Sequence, residues 1–157
     1  ISSPSTFSAT TTTTSGSGTW GTTGDTQLFL FKLDGTGILA NDDTSGNLQS
    51  HLPAGDTHLT ALTAGDYLIG VTVYNLDPRD AFGNPIFQDT FPGLDLPLTA
   101  GVLDHWQNNE SPRSVGAYTI TLTGASYVTA VPEPATTGLL FALGGGVAVW
   151  RARRRAA

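Results

Sequence analysis

The chain has 157 residues and a formal net charge of −6, and it contains no cysteine and no methionine. These counts exclude a disulfide framework, thiol chemistry and a cysteine-based zinc site. The charge is unevenly divided. Residues 1–130 hold 12 acidic and three basic residues, a net charge of −9, whereas residues 131–157 hold one acid and four arginines, a net charge of +3. The acidic body argues against nucleic-acid binding and is compatible with cation binding.

The first predicted segment is 1–23, and from residue 6 onward it is mostly Thr, Ser and Gly, with Phe7 and Trp20 as isolated apolar residues. This composition predicts either a flexible leader or an edge strand. The sequence starts at Ile1 with no basic or apolar leader segment, so we expect a signal peptide to lie upstream of it.

Residues 24–124 predict an antiparallel β-sandwich, since short strand patterns alternate with turns rich in Gly, Asp and Asn. Residues 27–33 are apolar on both faces, which is typical of a central strand, and 38–40 follow after a glycine turn. Residues 57–62 form a weaker strand candidate. Residues 67–74 and 117–123 alternate, with Tyr67, Ile69, Val71 and Val73 predicted on one face and Tyr118, Ile120 and Leu122 facing inward.

Residues 75–113 are rich in Pro, Asn, Asp and Gly and predict a long insertion with at most one short strand. Its aromatic residues allow two interpretations. They form a sugar-stacking or partner-binding face, or they pin a long loop to the core. These residues are Phe82, Phe87, Phe91 and Trp106.

The densest group of oxygen ligands lies around the first two strands. It consists of Asp25, Asp34, Asn41, Asp42 and Asp43. Calcium takes six to eight oxygen ligands, and carboxylates grouped on turns supply them. The alternative is that Asn-Asp-Asp forms capped turns between strands without an ion. Our sharper hypothesis places Asp25, Asp42 and Asp43 around one ion, and no other cofactor is expected.

The histidines His51, His58 and His105 do not form a recognisable catalytic or zinc-binding pattern. The sequence has no H-E-x-x-H motif and no G-x-S-x-G elbow. We therefore expect these histidines in exposed loops, no catalytic residues, and no enzymatic activity.

The C-terminal residues have the pattern of a targeting segment. Pro132, Glu133 and Pro134 end a linker over 125–134, the apolar run 135–150 follows, and the basic tail is 151–157. As a helix the apolar run would be roughly 24 Å long, a short transmembrane helix. The arginines of the basic tail are expected to stop its transfer across the membrane and to keep this end of the segment on the cytoplasmic side. They are Arg151, Arg153, Arg154 and Arg155.

This order of motif, apolar run and basic tail resembles the PEP-CTERM sorting signal of exosortase-bearing Gram-negative bacteria. The resemblance implies that exosortase recognises Pro132, Glu133 and Pro134 and removes or replaces the tail near them. It also implies export, a transient anchor in the inner membrane, and delivery to the cell surface or extracellular matrix.

The body resembles the bacterial pre-peptidase C-terminal (PPC) domain over residues 24–123. The resemblance rests on the segments 25–31, 34–35, 40–43 and 62–67, in that order, and the insertion 75–113 departs from it. It implies a secreted, jelly-roll-like β-sandwich of a kind usually found as an accessory module beside enzymes, with calcium bound in some members.

The expected function is that of an exported, exosortase-sorted surface or matrix protein with a structural or adhesive β-sandwich, in contact with exopolysaccharide. One alternative is a calcium-dependent carbohydrate-binding module, motivated by the acidic cluster and the loop aromatics. A weaker alternative is a secreted hydrolase.

Overall fold

The computed structural model describes residues 1–13, 24–90, 92–98, 101–108 and 117–128, and these segments fold mainly into antiparallel β-strands. The strands are β1 Ser8–Thr13, β2 Thr26–Phe31, β3 Gly37–Asn41, β4 His51–Leu52, β5 Leu68–Val73, β6 Leu76–Arg79, β7 Leu94–Asp95, β8 His105–Asn108 and β9 Tyr118–Thr123. A 3-10 turn spans Pro4–Thr6, and the short helix α1 spans Thr57–Thr60. The prediction of an all-β class is confirmed.

The strands form two sheets and a ribbon. Sheet A has the order β4-β1-β9, sheet B has the order β5-β2-β3-β7, and β6 pairs with β8 in the ribbon. Sheet B is built around the β2–β3 hairpin, in which Leu28 pairs with Asn41 and Leu30 with Leu39. Because the two strands are antiparallel, the residues before β2 and those after β3 meet at the same end of the sheet.

Strand β2 is buried on both faces, as its sequence predicts. Leu28 and Leu30 point into a first core, which they share with Phe7 and Ala9 from the β1 side and Leu52 of β4. This core joins sheets A and B, and Tyr67, Ile69 and Val71 pack against it as predicted. Leu122 of β9 also packs there, but the prediction that Tyr118 faces inward is wrong, because it is 44% exposed near the start of β9.

The other face of β2 forms an aromatic core. Phe29 and Phe31 pack with Ile86 and Phe87, and the Trp106 ring lies 5.5 Å from the Phe29 ring, centroid to centroid. Two glycines in sheet B make room for these rings. A Cβ at Gly37 would lie 2.8 Å from both Ile86 and Phe87, and one at Gly70 would lie 3.0 Å from Trp106. Sheet B is therefore covered on both faces.

The Thr-rich N-terminal segment is neither a leader nor an edge over its described part. Strand β1 lies in the middle of sheet A, where it pairs with β4 on one side and β9 on the other. Phe7, Ala9 and Thr11 alternate inward and are each at most 2% exposed. A strand with few large apolar residues is buried because small and β-branched side chains fit between two packed sheets.

The weak strand predicted at 57–62 is wrong, because this segment contains helix α1. The Asp56 carboxylate accepts a hydrogen bond from the His58 backbone N–H at 2.8 Å and caps the helix. Leu59 is fully buried in the first core, so one apolar side chain anchors the turn.

The segment 75–113 contains more strand than predicted, namely β6, β7 and β8 within its described residues. Another departure concerns residues 27–33, since β2 ends at Phe31 and Leu33 is 62% exposed. Gly35, with a φ of 86°, makes the turn into β3. The left-handed conformation of that residue ends the strand before Leu33 reaches the core.

The described part of the chain contains no helix with the length and apolar character needed to cross a membrane. The predicted transmembrane helix over 135–150 lies outside the described residues, as do the sorting motif and the basic tail.

Candidate functional site

Three of the five predicted ligand residues meet at one end of the β2–β3 hairpin. Asp25 comes directly before β2, and Asp42 and Asp43 come directly after β3. Each contributes a carboxylate oxygen to a group whose atoms lie within 4.8 Å of one another. We call these three residues the acidic triad.

The other two predicted ligands have different roles. Asp34 lies in the turn at the opposite end of the hairpin, where its carboxylate accepts the Thr36 backbone N–H at 2.9 Å. Asn41 is buried, and its side-chain oxygen accepts the His51 backbone N–H at 2.6 Å. Its amide donates to the backbone oxygens of Asp43 and Gly93. Asn41 therefore shapes the loop that holds the triad.

A buried hydroxyl network fastens this loop to both sheets. The hydroxyls of Thr11 and Thr26 share a hydrogen bond of 2.6 Å, and the Ser50 backbone N–H donates to Thr11 at 2.9 Å. The single O–H of Ser50 lies within hydrogen-bond distance of two backbone oxygens, that of Asp42 at 2.7 Å and that of Thr26. The sequence gives no sign of this network, since it joins residues up to 39 positions apart.

The triad is strongly desolvated. Asp25 and Asp43 are 0% and 1% exposed. Both carboxylate oxygens of Asp43 and one of Asp42 are buried without a hydrogen-bond partner among the described residues. Burial raises the pKa of Asp42 to about 8, with further contributions from the charges of Asp43 and Asp25. Burial and then Asp25 raise the pKa of Asp43 to about 7. Close, buried carboxylates oppose ionisation in the absence of a positive partner.

Asp42 also faces an acidic cleft of about 230 Å³ on the side of the aromatic core. The cleft brings together carboxylates from distant parts of the sequence with Gln27 and Arg79. The carboxylates are those of Asp42, Asp77, Asp89 and Asp95. The last three lie in the segment 75–113, and the sequence reading missed them because only the packing of that segment on sheet B brings them to Asp42.

The described aromatics of the segment 75–113 differ in burial, and Trp106 is 37% exposed. Phe87 is buried in the aromatic core, and Trp106 packs on Phe29 and Phe31. Phe82 is 91% exposed at the tip of a turn, and Phe91 lies outside the described residues. Phe87 and Trp106 fit the interpretation in which aromatics pin the loop to the core.

The histidines are separated in the structure. The prediction that they lie in loops is wrong, because His51 lies in β4, His58 in α1 and His105 in β8. His58 and His105 each contact a neighbouring Asp side chain, at 3.1 Å and 3.0 Å, and both are exposed. No group of metal-ligating side chains that includes a histidine is found among the described residues.

Comparison with protein families finds the PEP-CTERM protein-sorting motif at residues 130–155. The resemblance of the body to the PPC domain has no support from a family match. No significant match is found among curated proteins or solved structures. The motif covers the C-terminal part of the chain, and it implies an exported protein that exosortase sorts by way of the membrane.

Proposed function

We propose that this chain is a surface or extracellular-matrix protein whose β-rich body has a structural or adhesive role after exosortase processing. The single observation that carries the proposal is the sorting motif at 130–155. The body supports it through its charge, since residues 1–130 carry a net charge of −9, which suits a soluble domain outside the cell. A jelly-roll-like arrangement of sheets A and B, in contact with exopolysaccharide, is part of the proposal.

The processing step follows from the order of the tail. The apolar run 135–150 holds the substrate in the inner membrane for a time, and the four arginines keep their end in the cytoplasm. Exosortase then acts near Pro132, Glu133 and Pro134. The body leaves the membrane and reaches the surface or the matrix.

The test is intact-mass and fractionation analysis of the protein in its native host, with and without exosortase. We expect a released form that lacks the residues after the Pro-Glu-Pro region, and only in the strain that has exosortase. An intact chain in the inner membrane of both strains would contradict the proposal and indicate a plain C-terminal anchor.

A calcium-dependent carbohydrate-binding module is the second candidate. The observation that favours it is that Asp42 belongs both to the acidic triad and to the lining of the cleft. An ion held by the triad would lie beside a cleft lined by amide and carboxylate groups, which can bind sugar hydroxyls, and by Phe29 and Phe87. Glycan-array binding that disappears with a calcium chelator would support this candidate, and binding that persists would oppose it.

A further inference from the structure

We propose that the acidic triad of Asp25, Asp42 and Asp43 binds one calcium ion, which acts as a structural clamp between the start of β2 and the loop after β3. The geometric basis is that one carboxylate oxygen of each residue lies within 4.8 Å of the corresponding oxygens of the other two. Calcium–oxygen bonds are about 2.3–2.6 Å long, so two ligands of one ion lie at most about 5 Å apart. The triad is therefore the right size for a single calcium ion.

The second, independent observation is that the carboxylate of Asp43 is buried without a hydrogen-bond partner among the described residues. Its side chain is 1% exposed, and neither of its carboxylate oxygens has a hydrogen-bond partner among the described residues. A buried carboxylate without a partner costs several kcal/mol, and proteins offset that cost with a cation or with hydrogen bonds. No ion pair among the described residues involves Asp42 or Asp43. A bound cation supplies the missing positive charge.

The surrounding loop is built to hold these carboxylates in place. Asn41 and Ser50 bond the backbone oxygens of Asp43 and Asp42, so the loop keeps its shape without help from the carboxylates themselves. Both carboxylate oxygens of Asp43 and one of Asp42 are left for a ligand. All of the donors are hard oxygen atoms, which favours calcium over zinc or copper.

Access to the ion site is provided on two sides. Asp42 lines the acidic cleft, and Asp43 lines a shallow depression of about 300 Å³ between the loop after β3 and residues 92–94. Cleft carboxylates such as Asp89 and Asp77 extend the negative field around Asp42. A divalent cation is drawn toward that field, and an anionic ligand is repelled.

The experiment is a calcium titration of the full chain in a non-ionic detergent, followed by calorimetry and by thermal unfolding. We expect one calcium ion per chain and a melting temperature that rises with calcium and falls again with chelator. Asp43→Asn is expected to weaken calcium binding at least tenfold and to abolish the thermal shift.

Asp34→Asn is the matched control, because it removes the same charge from the same hairpin at the end away from the triad. This variant is expected to bind calcium as the wild type does. A wild-type chain without stoichiometric binding would overturn the proposal, and so would equal loss of binding in both variants, which indicates diffuse attraction to an acidic protein. The wild-type titration decides the matter even if Asp43→Asn does not fold. Failure here leaves the sorting proposal untouched, since that rests on the tail.

Discussion

At the level of one residue, Asp95 shows that burying a carboxylate in the acidic cleft has an electrostatic cost. Its side chain is 6% exposed, and its carboxylate accepts the Thr90 backbone N–H at 2.7 Å. Burial raises the pKa of Asp95 to about 6, the Thr90 hydrogen bonds oppose that rise, and the charges of Asp89 and Asp77 add to it. The cleft also holds Asp42 and Arg79.

The raised pKa predicts the direction of a pH effect. The folded state holds a proton on Asp95 up to about pH 6, whereas the unfolded chain loses it near pH 3.8, so the contribution of this residue to stability falls as pH rises through that window. Asp95→Asn keeps an acceptor for Thr90 and removes the charge. We expect this variant to match the wild type near pH 4 and to exceed it by on the order of 1–3 kcal/mol at pH 7. Denaturant unfolding in calcium-free buffer at several pH values measures the difference.

Asp34→Asn serves as the control of opposite sign. Asp34 is exposed, and the hydrogen bonds from Thr36 hold its pKa below the usual range. Its ionised form therefore supports folding above that range, and the Asn variant is expected to be no more stable than the wild type at pH 7. An Asp95→Asn variant whose advantage does not grow with pH would contradict the assigned cost of burial.

At the level of elements, the ribbon β6-β8 and the nearby residues Ile86 and Phe87 cover one face of sheet B. Trp106 in β8 reaches across to Phe29 and Phe31, with its ring 6.3 Å from that of Phe31. Gly70 lies beneath the same ring. Together with the buried Ile86 and Phe87, this contact packs a segment rich in Pro, Asn, Asp and Gly on the sheet.

Trp106→Ala is expected to destabilise the fold by about 1–3 kcal/mol, less than a core Trp deletion, because it removes a ring that packs on two phenylalanines but belongs to a residue that is 37% exposed. Phe82→Ala is the comparison, since Phe82 lies in the same segment and is 91% exposed. Its expected effect is within about 0.5 kcal/mol. Chemical denaturation of both variants distinguishes the two cases. Similar effects for both would mean that the segment is not held on sheet B by Trp106.

The same elements show what the sequence can and cannot predict. Pattern analysis correctly identified β5 and β9 from period-two alternation, β2 from a run that is apolar on both faces, and β3 from the glycine turn before it. It failed for residues 57–60, where the Asp56 cap and the burial of Leu59 outweigh the strand propensity of Thr. It also failed for β1, because a strand of Thr and Ala is recognisable only when its two neighbours are known.

The candidate site was predictable to the extent that it depends on one hairpin. Asp25 and Asp42 are 17 positions apart, yet a two-stranded antiparallel hairpin places them at one end, and the turn at Gly35 fixes the register. Asp77, Asp89 and Asp95 join the same acidic region only through the packing of a distant segment. Nothing local in the sequence encodes that packing, so the cleft could not be foreseen.

At the scale of the whole molecule, the chain combines two parts with opposite charge. The residues before Val131 carry a net charge of −9, and those from Val131 onward carry +3. Removal of the tail therefore makes the protein more acidic as well as smaller. A processed body is expected to elute later from an anion exchanger than the intact chain, whose net charge is −6.

The charge difference between the intact and the processed chain makes it possible to test the tail and the body separately. Replacement of Pro132, Glu133 and Pro134 by alanine leaves the apolar run and the arginines in place, so we expect this variant to remain uncut in the membrane fraction of the native host. Asp43→Asn alters only the body, and because the sorting motif lies at 130–155 it is expected to be cut and released like the wild type. Anion exchange and intact mass on both fractions give the readout. Release of the alanine variant as a tail-free body would show that exosortase does not recognise the Pro-Glu-Pro residues. Retention of Asp43→Asn in the membrane would show that sorting depends on the folded body as well as on the tail.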